Sequence, residues 1–153
     1  LAVELRRYKG LQVVTNGLTV ATALAASPGV QVFMIGGNVD FKKLGTVGSR
    51  AEEAMRDIRV EKAFLGITGI SVGHGLFMHN AAEAEINRLF VSSAREVTVV
   101  VDSSKFDVPC LFRVAGLGEI HRLITDSGIR AEVRETLEKM DLDLVVVEAP
   151  AAA

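Results

Sequence analysis

Four short clusters of small and polar residues have the composition of a site that holds an anion. They are Thr15-Asn16-Gly17, Gly36-Gly37-Asn38, Thr68-Gly69 and Asp102-Ser103-Ser104-Lys105. Glycines let a ligand approach the main chain, while exposed amides and helix N-termini attract negative charge. The ammonium group of Lys105 adds a point charge that suits a phosphate. These clusters predict an anion site that has Lys105 as its cation.

Each cluster follows an apolar run that is typical of a buried strand. The most regular run is Val97 to Val101, in which every residue is β-branched. Such a run predicts a parallel strand that is covered on both faces. Open α/β sheets bind ligands beyond the carboxyl ends of their parallel strands, and those ends lie on one edge. We therefore expect the four clusters to lie together.

Ordinary turns also explain the same clusters, because the loops between strands and helices favour these residue types. The nucleotide-binding patterns GxGxxG and GxxxxGK[ST] are both absent from the sequence. The residues alone therefore leave an anion site and simple turns both open, and they indicate no cofactor. His74 and His79 stand near each other, but no further ligands at metal-site spacing accompany them, so no metal site is predicted.

A helix is predicted to begin at Asn80, just before the Val97 to Val101 strand. Its apolar residues recur at helical spacing. Asn80 is expected to be the N-cap, and Glu83 stands three residues later, where the acid of a capping box would be. Both side chains are thereby placed at the start of this helix.

The remaining pattern alternates apolar strands with amphipathic helices. Strands are predicted near residues 11–15, 30–35, 63–67, 97–101, 122–125 and 144–147, and further helices near residues 1–9, 18–26, 47–58 and 129–140. Residues 40–44, the glycine-rich segment that ends at Gly75 and the segment after Lys105 are predicted to be irregular. The fold class predicted is α/β, with a mainly parallel sheet flanked by helices in one domain over residues 1–153. Residues 149–153 are expected to form a frayed tail.

Composition and charge exclude several classes of protein. A formal net charge of -2 gives no basic surface for nucleic acid, and no apolar run approaches the length that crosses a bilayer. A single cysteine, Cys110, cannot form an internal disulfide, which favours a reducing, cytoplasmic location. Cys110 itself is predicted to be a packing group rather than a nucleophile.

An ordered set of segments carries a family resemblance. The segments are VVTNGLTVATALA, IGG, VGSRAEEAMRDIRVEKAFLGITGIS, GLFMHNAAEAEINRLF, VVVDSSKF and LITD. Together they resemble the effector-binding domain of DeoR-type bacterial transcription regulators over about residues 1–126. The resemblance implies the fold shared by ribose-5-phosphate isomerase and the CoA transferases. It also implies a pocket for a phosphorylated sugar or polyol, lined by Thr15, Asn16, Gly36, Gly37, Gly69, Asn80, Glu83 and Lys105.

The resemblance also implies parts that this sequence does not contain. Regulators of this type join an N-terminal winged helix-turn-helix, which binds operator DNA, to the sensing domain. Many repress sugar or polyol catabolic operons and form dimers or higher homo-oligomers. An Asp-Ser-Gly-Thr-Thr-like phosphate loop precedes the helix with which this chain opens, so we interpret the sensing domain as truncated. Ser71 replaces an Asp that is common in the family.

A sugar-phosphate isomerase is the alternative function, because VVVDSSKF resembles a segment of that enzyme as well. Isomerisation through an enediol needs a carboxylate base. Alignment from Lys105 places Asn87 at the base position, and an amide cannot take the proton. The segment from Thr68 to Ser71 carries no acid either, and Glu83 lies one helix turn away from the base position. A sensor that binds without turnover is therefore favoured, while a ligand-free interaction module stays open.

The 153-residue chain is expected not to bind duplex DNA, whereas the full-length protein should bind its operator. The physical reason is the net charge of -2 together with the absence of a recognition helix. Electrophoretic mobility shifts at two salt concentrations test this expectation. Tight, salt-sensitive binding of operator-sized DNA by the 153-residue chain would contradict it.

Overall fold

In the computed structural model, the alternating strands and helices form two units, Leu1–Asp57 and the residues from Ile58 onward. The structure describes residues 1–148, and the tail predicted at residues 149–153 lies outside them. Within the described residues, no helix is long and apolar enough to cross a membrane.

The first unit contains a parallel pair of strands, three short helices and a hairpin. Its elements are α1 (Ala2–Leu5), β1 (Leu11–Thr15), α2 (Leu18–Leu24), β2 (Val30–Met34), β3 (Asn38–Asp40), β4 (Gly45–Val47) and α3 (Ser49–Met55). β1 and β2 are parallel, with Thr15 opposite Met34, and β3 pairs with β4 in antiparallel fashion. Leu24 and Met55 are each 1% exposed and anchor the helices α2 and α3 in the core.

The second unit contains two sheets. Its elements are β5 (Val60–Leu65), β6 (Gly69–Ser71), β7 (Gly75–Met78), α4 (Ala81–Ser93), β8 (Ala94–Val100), β9 (Phe112–Ala115), β10 (Arg122–Asp126), α5 (Ala131–Glu138) and β11 (Asp143–Val147). Four parallel strands follow the order β11-β10-β8-β5, and β6, β7 and β9 form an antiparallel sheet.

Apolar side chains of the parallel strands and of α4 and α5 form the core of the second unit. Val97, Val99, Leu123 and Leu137 are at most 1% exposed and belong to one packed cluster. Two residues of α5 that are four positions apart, Val133 and Leu137, reach this cluster, as the helical period requires. The burial of these side chains therefore holds β8 next to β10 in the sheet.

The predicted α/β class is confirmed, and all six predicted strands are present, β1 with the predicted ends and the other five with shifted ends. The largest shift is in β5, which spans Val60–Leu65 instead of residues 63–67. The helix predicted over residues 1–9 ends at Leu5, and the one predicted over residues 47–58 spans Ser49–Met55. Element ends are set by local capping and pairing, which the apolar pattern does not record.

Two of the three segments predicted to be irregular contain strands, so those two predictions were wrong. β6 and β7 form a hairpin in the glycine-rich segment, and β9 follows Lys105. Residues 41–44 contain no strand, as predicted, and they connect β3 to β4. Each of these strands has three or four residues. So few residues show no period, and their antiparallel pairing depends on partners that are distant along the chain.

Two further expectations about the strands need correction. Val97, Thr98 and Val99 are buried, but Val100 is 45% exposed, so β8 is not covered on both faces along its whole length. The four polar clusters also do not follow one sheet. Two of them follow the β1–β2 pair and two follow strands of the β11-β10-β8-β5 sheet.

Leu123→Ala should lower the free energy of unfolding by about 2–5 kcal/mol, because it leaves a cavity in a packed core. Leu123 is 0% exposed, whereas Leu111 is 79% exposed, so Leu111→Ala is the matched control. Chemical denaturation of the two variants measures the difference. Equal stabilities for both variants would contradict this arrangement of the core.

Candidate functional site

The residues that follow β8 form a loop, here called the Lys105 loop and defined as residues 102–110. It begins with a single turn of 3-10 helix, Ser103–Lys105. Asp102 caps this turn, because its Oδ1 accepts a hydrogen bond from the Ser104 amide at 3.0 Å. The Ser104 hydroxyl donates to the same carboxylate, and it is the main cause that holds the pKa of Asp102 below its usual value. Asp102 therefore carries its charge at neutral pH.

Lys105 makes only weak contacts within this loop. Its Nζ lies 3.4 Å from Ser104 Oγ and 3.7 Å from Asp102 Oδ2. The Lys105 side chain is 38% exposed, and ion pairs of this exposure contribute about 0–1 kcal/mol. An incoming anion can therefore compete with Asp102 for the ammonium group at little cost.

The downstream half of the loop is tied to the antiparallel sheet. The Asp107 amide donates to the Ile70 carbonyl at 2.8 Å, and Phe106 forms a bridge with the same residue. The Asp107 carboxylate pairs with Arg130, which is the residue that precedes α5. These contacts hold the chain on the downstream side of Lys105 against β6.

Gly69 contacts the Lys105 loop so closely that it has no space for a side chain. A Cβ built there would lie 2.6 Å from the Val108 carbonyl oxygen and 2.8 Å from Cys110 Sγ. Cys110 Sγ in turn lies 3.9 Å from Nε2 of His79, which precedes Asn80. Burial raises the pKa of the Cys110 thiol, which favours its neutral form. Gly69, the Lys105 loop and the start of α4 thus form one connected region.

The first turn of α4 confirms the predicted N-cap. Asn80 Oδ1 accepts hydrogen bonds from the amides of Ala82 at 2.8 Å and Glu83 at 3.2 Å. Glu83 does not return the bond of a capping box. The residue as a whole is 8% exposed, but its carboxylate oxygens are not among the buried side-chain atoms that lack a partner, so solvent reaches them. Within residues 1–148 this carboxylate has neither a hydrogen-bond donor nor an ion-pair partner, which makes Glu83 a candidate for accepting hydrogen bonds from a ligand.

In the first unit, one threonine that sequence reasoning missed links two of the predicted clusters. The Thr46 amide donates to the Asn16 carbonyl at 2.8 Å, and Asn16 Nδ2 donates to the Thr46 carbonyl at 3.0 Å. The Thr46 hydroxyl donates to the Ile35 carbonyl at 2.6 Å, next to Gly36. No sequence signal marks Thr46, because its role arises from the folding of the β3–β4 hairpin.

The other predicted positions of this unit differ in exposure. Thr15 is 8% exposed, and its hydroxyl accepts a hydrogen bond from the Gly17 amide at 3.0 Å. Gly36 is exposed, and a Cβ there would meet nothing within 4 Å. Gly37 has a φ of +136°, and a Cβ would lie 2.8 Å from the Val47 carbonyl oxygen, so its conformation requires glycine. Gly37 is therefore required by the turn that follows β2.

The structure divides the eight predicted site residues between the units. Four lie in the first unit, at the ends of β1 and β2, and four lie in the second unit, around the Lys105 loop and α4. In the part of the chain that the structure describes, no group of three or more His, Cys, Asp or Glu residues could hold a metal ion.

Comparison with known proteins gives the family. A family profile described as "DeoR C terminal sensor domain" matches residues 1–127. The chain belongs to the DeoR sensor domain family. This result confirms the resemblance stated above.

Curated relatives of this DeoR sensor domain are transcription regulators. A protein of Escherichia coli O157:H7 that is named as an aga operon transcriptional repressor is 32% identical over 96% of this chain and 55% of its own length. The HTH-type transcriptional repressor GlcR of Bacillus subtilis (strain 168) is 28% identical over 89% of the chain and 52% of its own length. The glycerol-3-phosphate regulon repressor of Escherichia coli (strain K12) is 25% identical over 94% of the chain and 57% of its own length.

The chain thus spans about half the length of the curated relatives that it matches. The family and these relatives are regulators and not enzymes, which confirms the choice of a sensor over an isomerase.

Asn80→Ala should lower the free energy of unfolding by about 1 kcal/mol, because two amides in the first turn of α4 lose their acceptor. Asn80→Ser keeps an oxygen at the cap and should cost much less. Urea denaturation compares the two variants with the wild type. A serine variant that is as unstable as the alanine variant would show that the cap is not the cause.

Proposed function

We propose that this sensor domain binds a phosphorylated sugar or polyol and thereby controls DNA binding by a full-length bacterial regulator. The observation that carries the proposal is Lys105, a partly exposed cation at the carboxyl end of the buried strand β8. Ligands of parallel α/β sheets bind at this end of the strands. In this proposal, Lys105 binds the phosphate group of the ligand.

The residues around Lys105 suit a phosphate. The Ser104 hydroxyl lies 3.4 Å from the ammonium group, and it can donate a hydrogen bond to a phosphate oxygen once it leaves Asp102, to which it donates in this structure. A charge-assisted hydrogen bond of this kind contributes roughly 1.5–3 kcal/mol. Asp102, which pairs with Lys105 at 3.7 Å, is released when the phosphate takes its place.

The hydroxyl groups of the ligand are assigned to Glu83. Its carboxylate has no hydrogen bond or ion pair in the described part of the chain and is open to solvent, so the hydroxyls of a sugar can donate to it. Asn80, which is exposed at the start of the same helix, adds an amide that can donate. Because Gly69 has no side chain, the Lys105 loop can pack directly against it. Thr15, Asn16, Gly36 and Gly37 lie in the first unit and stay predictions from the family resemblance.

The role proposed for the full-length protein is that of the transcription regulators to which the chain is similar. One curated relative is named as the glycerol-3-phosphate regulon repressor. Glycerol 3-phosphate is a phosphorylated polyol. We infer that the full-length protein represses sugar or polyol catabolism from the cytoplasm, as a homo-oligomer whose paired DNA-binding domains match two half-sites. Ligand binding then changes the affinity of those domains for the operator.

Lys105→Ala should weaken binding of the best sugar phosphate by about ten- to a hundredfold, the equivalent of one charge-assisted contact. The matched control is Lys62→Ala. Lys62 is an exposed lysine of β5 that also has an acidic partner, Glu96, but it lies in the part of the sheet where β5 and β8 begin. Both variants should fold, since neither lysine belongs to the core.

Isothermal titration calorimetry of the full-length protein with hexose, ketose and polyol phosphates measures these affinities. The full-length protein is used because the chain spans about half the length of the curated relatives that it matches. Equal affinities of the wild type and the Lys105→Ala variant would remove Lys105 from the site. Equal losses in both variants would show a general charge effect instead.

A further inference from the structure

One carboxylate connects the loops that follow two neighbouring strands. Asp126 is the last residue of β10, which lies beside β8 in the parallel sheet. Its Oδ2 accepts a hydrogen bond from the Ser103 amide at 2.8 Å, and its Oδ1 accepts one from the Gly128 amide at 2.8 Å. Asp126 therefore binds the first residue of the 3-10 turn that ends at Lys105.

The environment of Asp126 keeps this carboxylate ionised. The Ser103 amide is the main cause that holds the pKa of Asp126 below its usual value, and the Gly128 amide acts in the same direction. Hydrogen bonds from amides to a charged carboxylate are stronger than bonds between neutral groups. Both oxygens are already used by main-chain donors, and a carboxylate repels phosphate, so Asp126 is not itself a phosphate ligand.

Gly128 leaves no free space around this contact. A Cβ built on Gly128 would lie 2.5 Å from Ser103 Oγ and 2.9 Å from Asp126 Oδ1. Because the φ of Gly128 is not positive, an alanine there meets a steric obstacle rather than backbone strain. Ser103 is thus enclosed by Asp126 and Gly128 on the upstream side of Lys105, where the Ile70 contacts do not reach.

We propose that Asp126 is the positioning residue of the phosphate anchor. By holding the Ser103 amide, it fixes where the 3-10 turn leaves β8 and where the Lys105 ammonium group stands two residues later. The ties between Asp107 and Ile70 fix the downstream side of the loop, so the two contacts together set the position of Lys105. This inference rests on the proposed function for its ligand, but the contact can be tested without one.

The first experiment needs no ligand. Hydrogen exchange of the Ser103 amide, followed by NMR, should become at least about tenfold faster in Asp126→Asn, because an amide oxygen of the new side chain is a weaker acceptor than a carboxylate. Asp143→Asn removes one charge from the neighbouring strand β11, where Asp143 pairs with Arg122, and should leave Ser103 unchanged. Unchanged exchange at Ser103 in Asp126→Asn would overturn the positioning role.

The second experiment measures binding by the full-length protein. The probes are glycerol 3-phosphate, glucose 6-phosphate, fructose 6-phosphate and inorganic phosphate. For the probe that binds best, Asp126→Asn should weaken the affinity by about tenfold, or about 1.4 kcal/mol. Gly128→Ala keeps every charge but displaces Ser103, and it should weaken binding in the same way. Wild-type affinity in both variants would overturn the inference.

A double-mutant cycle separates positioning from a general structural role. If Asp126 acts through Lys105, the double variant Asp126→Asn with Lys105→Ala should bind no more weakly than Lys105→Ala alone. Losses that add fully would show that Asp126 does not act through Lys105 and would overturn the inference. If the wild type binds none of the probes, the proposed function fails, and the exchange of Ser103 still decides the positioning role by itself.

Discussion

The position of Lys105 depends on the burial of β8. Val97 and Val99 are at most 1% exposed, and they pack with Leu123 of the neighbouring strand in one apolar cluster. A shift of β8 by one residue would turn these side chains to the other face of the sheet, at a cost of several kcal/mol of buried apolar surface. Because the strand cannot slide, the polar residues after it leave the sheet at one fixed point. That point lies beside the end of β10, where Asp126 meets the loop.

Burial of this kind leaves a direct trace in a sequence, and the fold class was predictable for that reason. An unbroken β-branched run followed by Asp-Ser-Ser-Lys indicated both the strand and the polar loop that follows it. The antiparallel strands left no such trace. β6 and β9 are three and four residues long, and their place depends on pairs such as Gly69 with Phe77 and Met78 with Phe112, which only the folded chain brings together.

In the candidate site, too, the sequence predicted local features and missed those that depend on distant partners. Asn80 was recognised as the cap of α4, since caps are local and have strong residue preferences. Asp126 and Thr46 were missed, because their partners lie 23 and 30 residues away along the chain. Asp126 ends a strand with an acid, as Asp102 does after β8, and this repeated pattern at two neighbouring strand ends could have pointed to it. The unpartnered state of the Glu83 carboxylate is likewise a property of packing alone.

The central claim is that a phosphate binds at the end of β8, on the residues that this strand and Asp126 hold in place. A crystal structure of the full-length protein with its best sugar phosphate tests the claim most directly. We expect phosphate oxygens about 3 Å from Lys105 Nζ, with the 3-10 turn unmoved and the ammonium group turned away from Asp102. A phosphate bound elsewhere, with the ion pair between Lys105 and Asp102 intact, would contradict the account.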